Sequence, residues 1–170
     1  MYEFNYIYGA ILIDRNLDKV QKIINEMSSS DEFYYFHASM FSQGSNKYPS
    51  FYNSYIISFS RTFKYFGYDL NEFNEFIWNI ESFLDQIDFD SAMIHIGGMY
   101  NDQDLFWINK KMGNKEKLGI KGIQYYETDK WFFGFGAINL STGIINRVPN
   151  DKNEMFHIQY PNFKYPIIKK

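Results

Sequence analysis

The residues from 69 to 87 carry the pattern that most restricts the fold of this chain. Asp69, with Glu72 three residues later, provides a capping-box-like start in which Asp replaces the usual Ser or Thr. The apolar side chains that follow recur at helical spacing and form one stripe: Leu70, Phe73, Phe76, Ile77, Ile80, Phe83, Leu84 and Ile87. The pattern predicts an amphipathic helix with one face to bury, the strongest helix of the chain.

Period-two alternation predicts strands before and after this helix. The predicted strands cover residues 2–13, 33–41, 55–65 and 91–96, and residues 17–27 form a first helix that Asn16 caps. The resulting order, β-α-β-β-α-β, is that of the ferredoxin-like split motif, in which two helices cover one face of a four-stranded antiparallel sheet. We therefore predict an α+β fold with a ferredoxin-like core over residues 1–98.

The remaining residues are predicted to extend this core within a single domain, 1–170. Residues 99–148 form the extension: a short third helix at 102–112, a hairpin of 123–126 with 131–140 that turns at 128–130, and a strand at 144–148. Residues 149–170 form an irregular tail, partly docked through Phe156, Phe163 and Tyr165.

Composition excludes several classes of protein. The chain has no Cys, which excludes disulfides, thiolate metal sites and a Cys nucleophile. No apolar run approaches the roughly 18 residues that span a membrane. The start, Met1 to Phe4, has no basic region before an apolar stretch, so a signal peptide is not expected. We expect a cytoplasmic protein with no membrane partner.

Sequence motifs give no catalytic, metal or cofactor site. The three histidines, His37, His95 and His157, have no metal-ligand spacing, so we predict no metal, no cofactor and no enzymatic activity. Residues 134–137, GFGA, resemble the core of an RNA-recognition motif. However, Phe133 occupies the position of a basic residue in that motif, and Ala137 occupies the position of an aromatic residue that stacks on RNA. With an isoelectric point near 5.6, direct nucleic-acid binding is not expected.

Charge is distributed very unevenly along the chain. Between Lys64 and Lys110 there are nine acidic residues and no Lys or Arg, so this segment has a charge of −9 within a chain whose net charge is −3. The rest of the chain therefore carries +6. Such asymmetry predicts an electrostatic field that steers a partner toward one face.

Trp78 is the side chain that the helical pattern of 69–87 places away from the core. At about 100° per residue, it falls opposite the apolar stripe. The polar side chains around it are Asn71, Asn74, Glu75, Glu81, Ser82 and Asp85. Trp is the residue most enriched at the energetic centres of protein interfaces, so these seven residues are the predicted partner-binding site. The alternative also stands that the C-terminal segment folds over this face and buries Trp78.

In overall character, a small, acidic, Cys-free α+β domain without catalytic motifs resembles the cytosolic immunity proteins of bacterial polymorphic or contact-dependent toxin systems. The resemblance implies a non-enzymatic inhibitor that binds a cognate protein toxin, often a basic nuclease, with Trp78 as the anchor and Glu75, Glu81 and Asp85 steering and pairing with basic side chains.

A ferredoxin-like domain that binds a small ligand or acts as an enzyme is the alternative. Its polar groups on the open sheet face would be His37, Arg61 and His95. The sequence leaves undecided whether the protein is a monomer or a homodimer.

Overall fold

A computed structural model describes residues 4–27, 34–42, 55–64, 66, 69–98, 102–120, 125–147 and 160–168. Two helices, α1 (Leu17–Met27) and α2 (Leu70–Leu84), lie within these ranges. The strands there are β1 (Asn5–Ile13), β2 (Phe41–Ser42), β3 (Tyr55–Phe63), β4 (Phe89–Gly97), β5 (Asp102–Asn109), β6 (Tyr125–Glu127), β7 (Trp131–Phe135), β8 (Ala137–Ile138) and β9 (Ile145–Arg147). The predicted α+β class is confirmed.

Seven strands pair in one antiparallel sheet, in the order β2-β3-β1-β4-β5-β7-β6, and β8 pairs with β9 separately. Strand β1 is an interior strand of this sheet, where Tyr8 is opposite Ser60 of β3 on one side and His95 of β4 on the other. Alternate residues of β1, including Ile7, Ile11 and Ile13, enter the main core. The intervening residues Tyr6 and Tyr8 are exposed.

Helix α2 forms as its sequence predicts. The Asp69 side chain caps its first turn and accepts hydrogen bonds from the backbone N–H groups of Asn71 and Glu72, at 2.7 and 2.9 Å. Its predicted stripe is buried from Phe73 to Leu84. Helix α1 begins at Leu17 and buries its own predicted stripe: Leu17, Val20, Ile23, Ile24 and Met27. In the described part of the chain, neither helix is long and apolar enough to cross a membrane.

The predicted second strand, 33–41, is wrong over most of its length. Residues Ala38–Met40 form a 3-10 turn and only Phe41–Ser42 pairs with β3, while residue 33 lies outside the described residues. Two causes are visible. The adjacent Tyr35 and Phe36 are both buried, which a strand with one covered face does not allow, and the His37 side chain accepts a hydrogen bond from the Ser39 backbone.

The predicted third helix, 102–112, is also wrong. These residues form strand β5, Asp102–Asn109, between β4 and β7, followed by a short 3-10 turn at Lys110–Met112. All side chains from Leu105 to Ile108 are buried, because one face of β5 packs in the main core and the other in a second core. A strand covered on both faces loses the alternation of apolar and polar residues. Its short apolar run then cannot be distinguished by periodicity from a buried helix segment.

The hairpin after β5 is confirmed where it is described. Strands β6 and β7 pair across residues 128–130, although residues 121–124, which include the predicted start of the hairpin at 123, lie outside the described ranges. The predicted long strand 131–140 is interrupted at Gly136, whose φ is 133° and whose N–H donates to the Asp104 carbonyl at 2.8 Å. The chain beyond it forms β8, and the strand predicted at 144–148 is β9, Ile145–Arg147.

A second apolar core covers part of the sheet face that lies opposite the helices. It contains Phe106, Ile108, Leu118, Ile120, Phe132 and Ile138, and it lies over β5 and β7. At its border, the Ser91 hydroxyl donates to the Leu140 carbonyl. The exposed Tyr6 and Tyr8 lie beyond this core, on β1.

Candidate functional site

An open groove of about 270 Å³ runs along the outer side of α2. Its other walls are the turn between β6 and β7 and the segment 160–168. We call it the α2 groove, and it is lined by Trp78, Glu81, Ser82, Asp85, Thr128, Asp129, Lys130, Trp131, Tyr165, Pro166 and Ile167. Helix α2 supplies Trp78, Glu81 and Ser82, and its C-cap residue is Asp85.

Aromatic packing holds the segment 160–168 in place. Tyr160 stacks on Phe73 of α2 with ring centroids 5.2 Å apart, and Tyr165 stacks on Phe133 of β7 at 4.7 Å. Phe163 is buried against the same cluster. The predicted docking of the tail through Phe163 and Tyr165 is confirmed, and Phe156 lies outside the described residues.

Glu81 is the centre of a hydrogen-bond network at the floor of the groove. Its Oε1 accepts from the indole N–H of Trp107 at 2.9 Å and from the hydroxyl of Tyr165 at 2.6 Å. The Tyr165 oxygen in turn accepts from the indole N–H of Trp131 at 2.8 Å. One carboxyl thus ties α2 to strands β5 and β7 and to the segment 160–168.

The protonation of Glu81 follows from this enclosed position. Burial raises the pKa of the Glu81 carboxyl from 4.5 to about 7, although the hydrogen bonds from Tyr165 and Trp107 act in the opposite direction. The same burial, together with the charge of Glu81, raises the pKa of Tyr165, so that this hydroxyl stays protonated and donates. Near neutral pH the floor of the groove therefore changes its charge.

The rim of the groove carries an ion pair. Lys130, in the turn after β6, pairs with Asp85 at the end of α2, and their side chains are 53% and 46% exposed. The hydrogen bond that Lys130 donates to the Asp85 carboxylate raises the pKa of Lys130 above its ordinary value. Solvent screens a pair this exposed, so a competing cation displaces Lys130 at little cost.

The predicted partner-binding residues divide into two groups. Trp78, Glu81, Ser82 and Asp85 line the α2 groove. Asn71, Asn74 and Glu75 belong to the preceding turns of α2 and do not line it. The segment 160–168 borders this face without closing over it, so Trp78 remains half-buried.

Basic residues from the rest of the chain neutralise part of the acidic segment. Lys111 contacts both Asp88 and Asp90, and its pKa is raised because these contacts outweigh its burial. Lys130 pairs with Asp85. The surplus charge of this segment is therefore concentrated on fewer side chains, of which Glu75 is an exposed one.

The residues proposed for a ligand site on the open sheet face are not brought together. His37 lies before the 3-10 turn, not on a strand. Arg61 is on the core-facing side of β3, where it donates to the Tyr34 carbonyl at 2.9 Å and lies over the Phe63 ring. His95 is on the open face, on β4, which lies between β1 and β5.

Several groove residues have no signal in the sequence that links them to α2. Lys130 and Trp131 follow a hairpin turn, and Tyr165 lies 84 residues after its partner Glu81. Only the aromatic content of the tail suggested that it packs somewhere on the protein. The described residues contain no group of three or more His, Asp or Glu side chains that could hold a metal ion.

Comparisons of the chain with protein-family models, with curated proteins and with solved structures found no match.

Proposed function

We propose that this protein is a non-enzymatic inhibitor, an immunity protein that binds and neutralises a cognate bacterial toxin through the α2 groove. The observation that carries the proposal is the position of Trp78, half-buried in the wall of an open groove with carboxylates on its floor and rim. A large aromatic side chain in such a place gains buried area when a partner covers it.

Charge around the groove favours a basic partner. Asp85 and Asp129 line it, Glu75 is exposed one turn before Trp78, and Lys130 is its one basic lining residue among those described. An incoming Lys or Arg replaces Lys130 beside Asp85, and the acidic surround accelerates its approach. A basic nuclease is the kind of toxin that this arrangement favours, and the cytoplasm is the compartment in which we propose that the inhibitor meets it.

We also propose that residues 1–98 form a ferredoxin-like unit to which the later strands are added. The order β2-β3-β1-β4, with antiparallel pairing throughout and helices after β1 and β3, supports this proposal. The ligand-binding alternative has less support, because His37, Arg61 and His95 lie apart.

The test of inhibition is growth rescue. The C-terminal domain encoded by the gene immediately upstream is expressed from an inducible promoter, with and without this protein. We expect growth arrest that this protein relieves, and we expect the variant Trp78→Ala with Asp85→Lys to lose the relief. The matched control is Tyr34→Ala with Glu116→Lys, which changes an exposed aromatic and an exposed acid outside the groove.

Two results contradict the proposal. An upstream product that is harmless, or toxic without relief by this protein, removes the immunity role. Full relief by the Trp78 and Asp85 variant, with its fold confirmed by circular dichroism, retains the inhibitor but removes the α2 groove as its contact.

A further inference from the structure

A second exposed surface lies on the sheet face opposite the helices. We call Phe4, Tyr6 and Tyr8, together with His95, Asp102 and Asp104 beside them, the tyrosine surface. Phe4, Tyr6 and Tyr8 are 55%, 36% and 50% exposed; Phe4 directly precedes strand β1, and Tyr6 and Tyr8 occupy alternate positions at its start. Ile7, Ile11 and Ile13, which lie on the other face of β1, enter the main core with α1 and α2. This surface is therefore separate from the α2 groove.

The two tyrosine rings form a flat pair. Their planes lie within 8° of each other and their centroids are 6.3 Å apart. The Tyr6 ring lies against Gly97 of β4 so closely that a Cβ atom there would be 2.3 Å from its Cζ. The Tyr8 ring stacks on the His95 imidazole at 4.7 Å. Strand β4 thus supports one side of each ring, and the exposed area is on the other side.

Carboxylates border this pair of rings. Asp104 Oδ1 is 2.8 Å from His95 Nδ1, and Asp102 Oδ1 is 3.8 Å from His95 Nε2. The Asp102 side chain is 63% exposed, so its oxygens remain accessible to an incoming group. On the side of β3, the residues opposite Tyr6 and Tyr8 are Thr62 and Ser60, which are uncharged.

We propose that the tyrosine surface binds arginine side chains of a protein partner. A guanidinium is planar and cationic, so it can lie on the electron-rich face of a tyrosine ring while its N–H groups donate to a carboxylate. Lysine matches the charge but not the planar geometry. A nucleic acid could also stack on these rings, but Asp102 and Asp104 repel its phosphates. Charge complementarity therefore selects an arginine-bearing segment of a protein.

The test uses peptides as probes and the full chain as the receptor. Fluorescein-labelled peptides of four Gly-Arg, Gly-Lys or Gly-citrulline repeats are titrated with the protein, and binding is followed by fluorescence anisotropy at physiological salt. We expect the affinity to decrease from the Arg peptide to the Lys peptide to the citrulline peptide. We expect Tyr8→Ala and Asp102→Asn each to lower the affinity for the Arg peptide about two- to five-fold, because each removes a single exposed cation–π or charge contact.

The control variant is Tyr34→Ala, which removes a tyrosine that is 67% exposed and lies outside this surface. Retained affinity in Tyr34→Ala is expected. The proposal would be overturned if the Arg and Lys peptides bound with equal affinity and Tyr8→Ala did not change that affinity. It would also be overturned if the Arg peptide did not bind. Binding lost in Trp78→Ala but kept in Tyr8→Ala would move the arginine site to the α2 groove. This inference does not depend on the immunity role, because the peptides test arginine binding without any toxin.

Discussion

Replacing Glu81 by Gln is expected to make the protein more stable above neutral pH, although it removes a charged side chain that accepts two hydrogen bonds. The amide of the variant would keep an oxygen where Oε1 accepts from Trp107 and Tyr165. It imitates the protonated carboxyl, which is the form that burial at this site favours.

The magnitude follows from the pKa values of the two states. The pKa of Glu81 rises from 4.5 in the unfolded chain to about 7 in the folded protein, so the folded state holds this proton more tightly. The difference of about 2.5 corresponds to about 3 kcal/mol in the free energy of unfolding, at roughly 1.4 kcal/mol for each tenfold change. This contribution is complete below pH 4.5 and is lost as the pH rises through about 7.

The assay is urea denaturation of the native protein and Glu81→Gln at a series of pH values from about 4.5 to 8, followed by circular dichroism. We expect the two proteins to have similar free energies of unfolding at the acidic end. The variant then gains on the native protein as the pH rises, by up to about 3 kcal/mol at pH 8.

The matched control is Glu75→Gln, which makes the same change of side chain at an exposed position of the same helix, so a gain confined to Glu81→Gln assigns the effect to the buried carboxyl. A Glu81→Gln variant that is less stable than the native protein at pH 8 would refute the reasoning. It would mean that the two hydrogen bonds stabilise the ionised carboxylate by more than burial disfavours it.

Three further substitutions test other contacts by the same urea assay. Gly97→Ala should cost about 1 kcal/mol, because its Cβ meets the end of the Tyr6 ring and this partly exposed side chain must move aside, and most of this loss should disappear in a Tyr6→Ala background. Tyr165→Phe should cost about 1–3 kcal/mol, since it leaves the indole N–H of Trp131 without its acceptor. Lys111→Met should change stability by about 1 kcal/mol or less, because its two carboxylate contacts are partly exposed. A larger loss of stability in Lys111→Met than in the other two variants would contradict these assignments.

Features whose causes are local in sequence could be predicted. Helix α2 is determined by the Asp69 cap and by apolar residues three and four positions apart, all within one segment. The same applies to α1 and to β3, where one face is covered and the other is exposed. In each case the pattern of burial repeats at the spacing of the element itself.

Strand β5 could not be predicted in this way, because its burial depends on two layers that come from elsewhere in the chain. Leu105 and Trp107 pack in the main core, whereas Phe106 and Ile108 meet the second core. That second core is built from residues that follow β5, such as Leu118 and the β7 residues. No property of 102–112 alone indicates that both of its faces are covered.

The α2 groove was half predictable. The angular positions of Trp78, Ser82 and Asp85 place them on one side of a helix, which is a local property. The opposite wall, which includes Lys130 and Tyr165, depends on how distant segments pack. The hydrogen bonds of Glu81 could not be predicted for the same reason, since its donors come from β5 and from the segment 160–168.

The long separation between Glu81 and Tyr165, 84 residues, has a consequence for synthesis on the ribosome. A nascent chain can form α2 from its local pattern well before residue 165 has been translated. Until then the groove lacks a wall, and the Glu81 carboxyl lacks the enclosure that raises its pKa. The α2 groove is thus completed only after α2 has formed. A partial translation product that ends before residue 160 would expose Trp78 without the rest of the surface that a partner contacts.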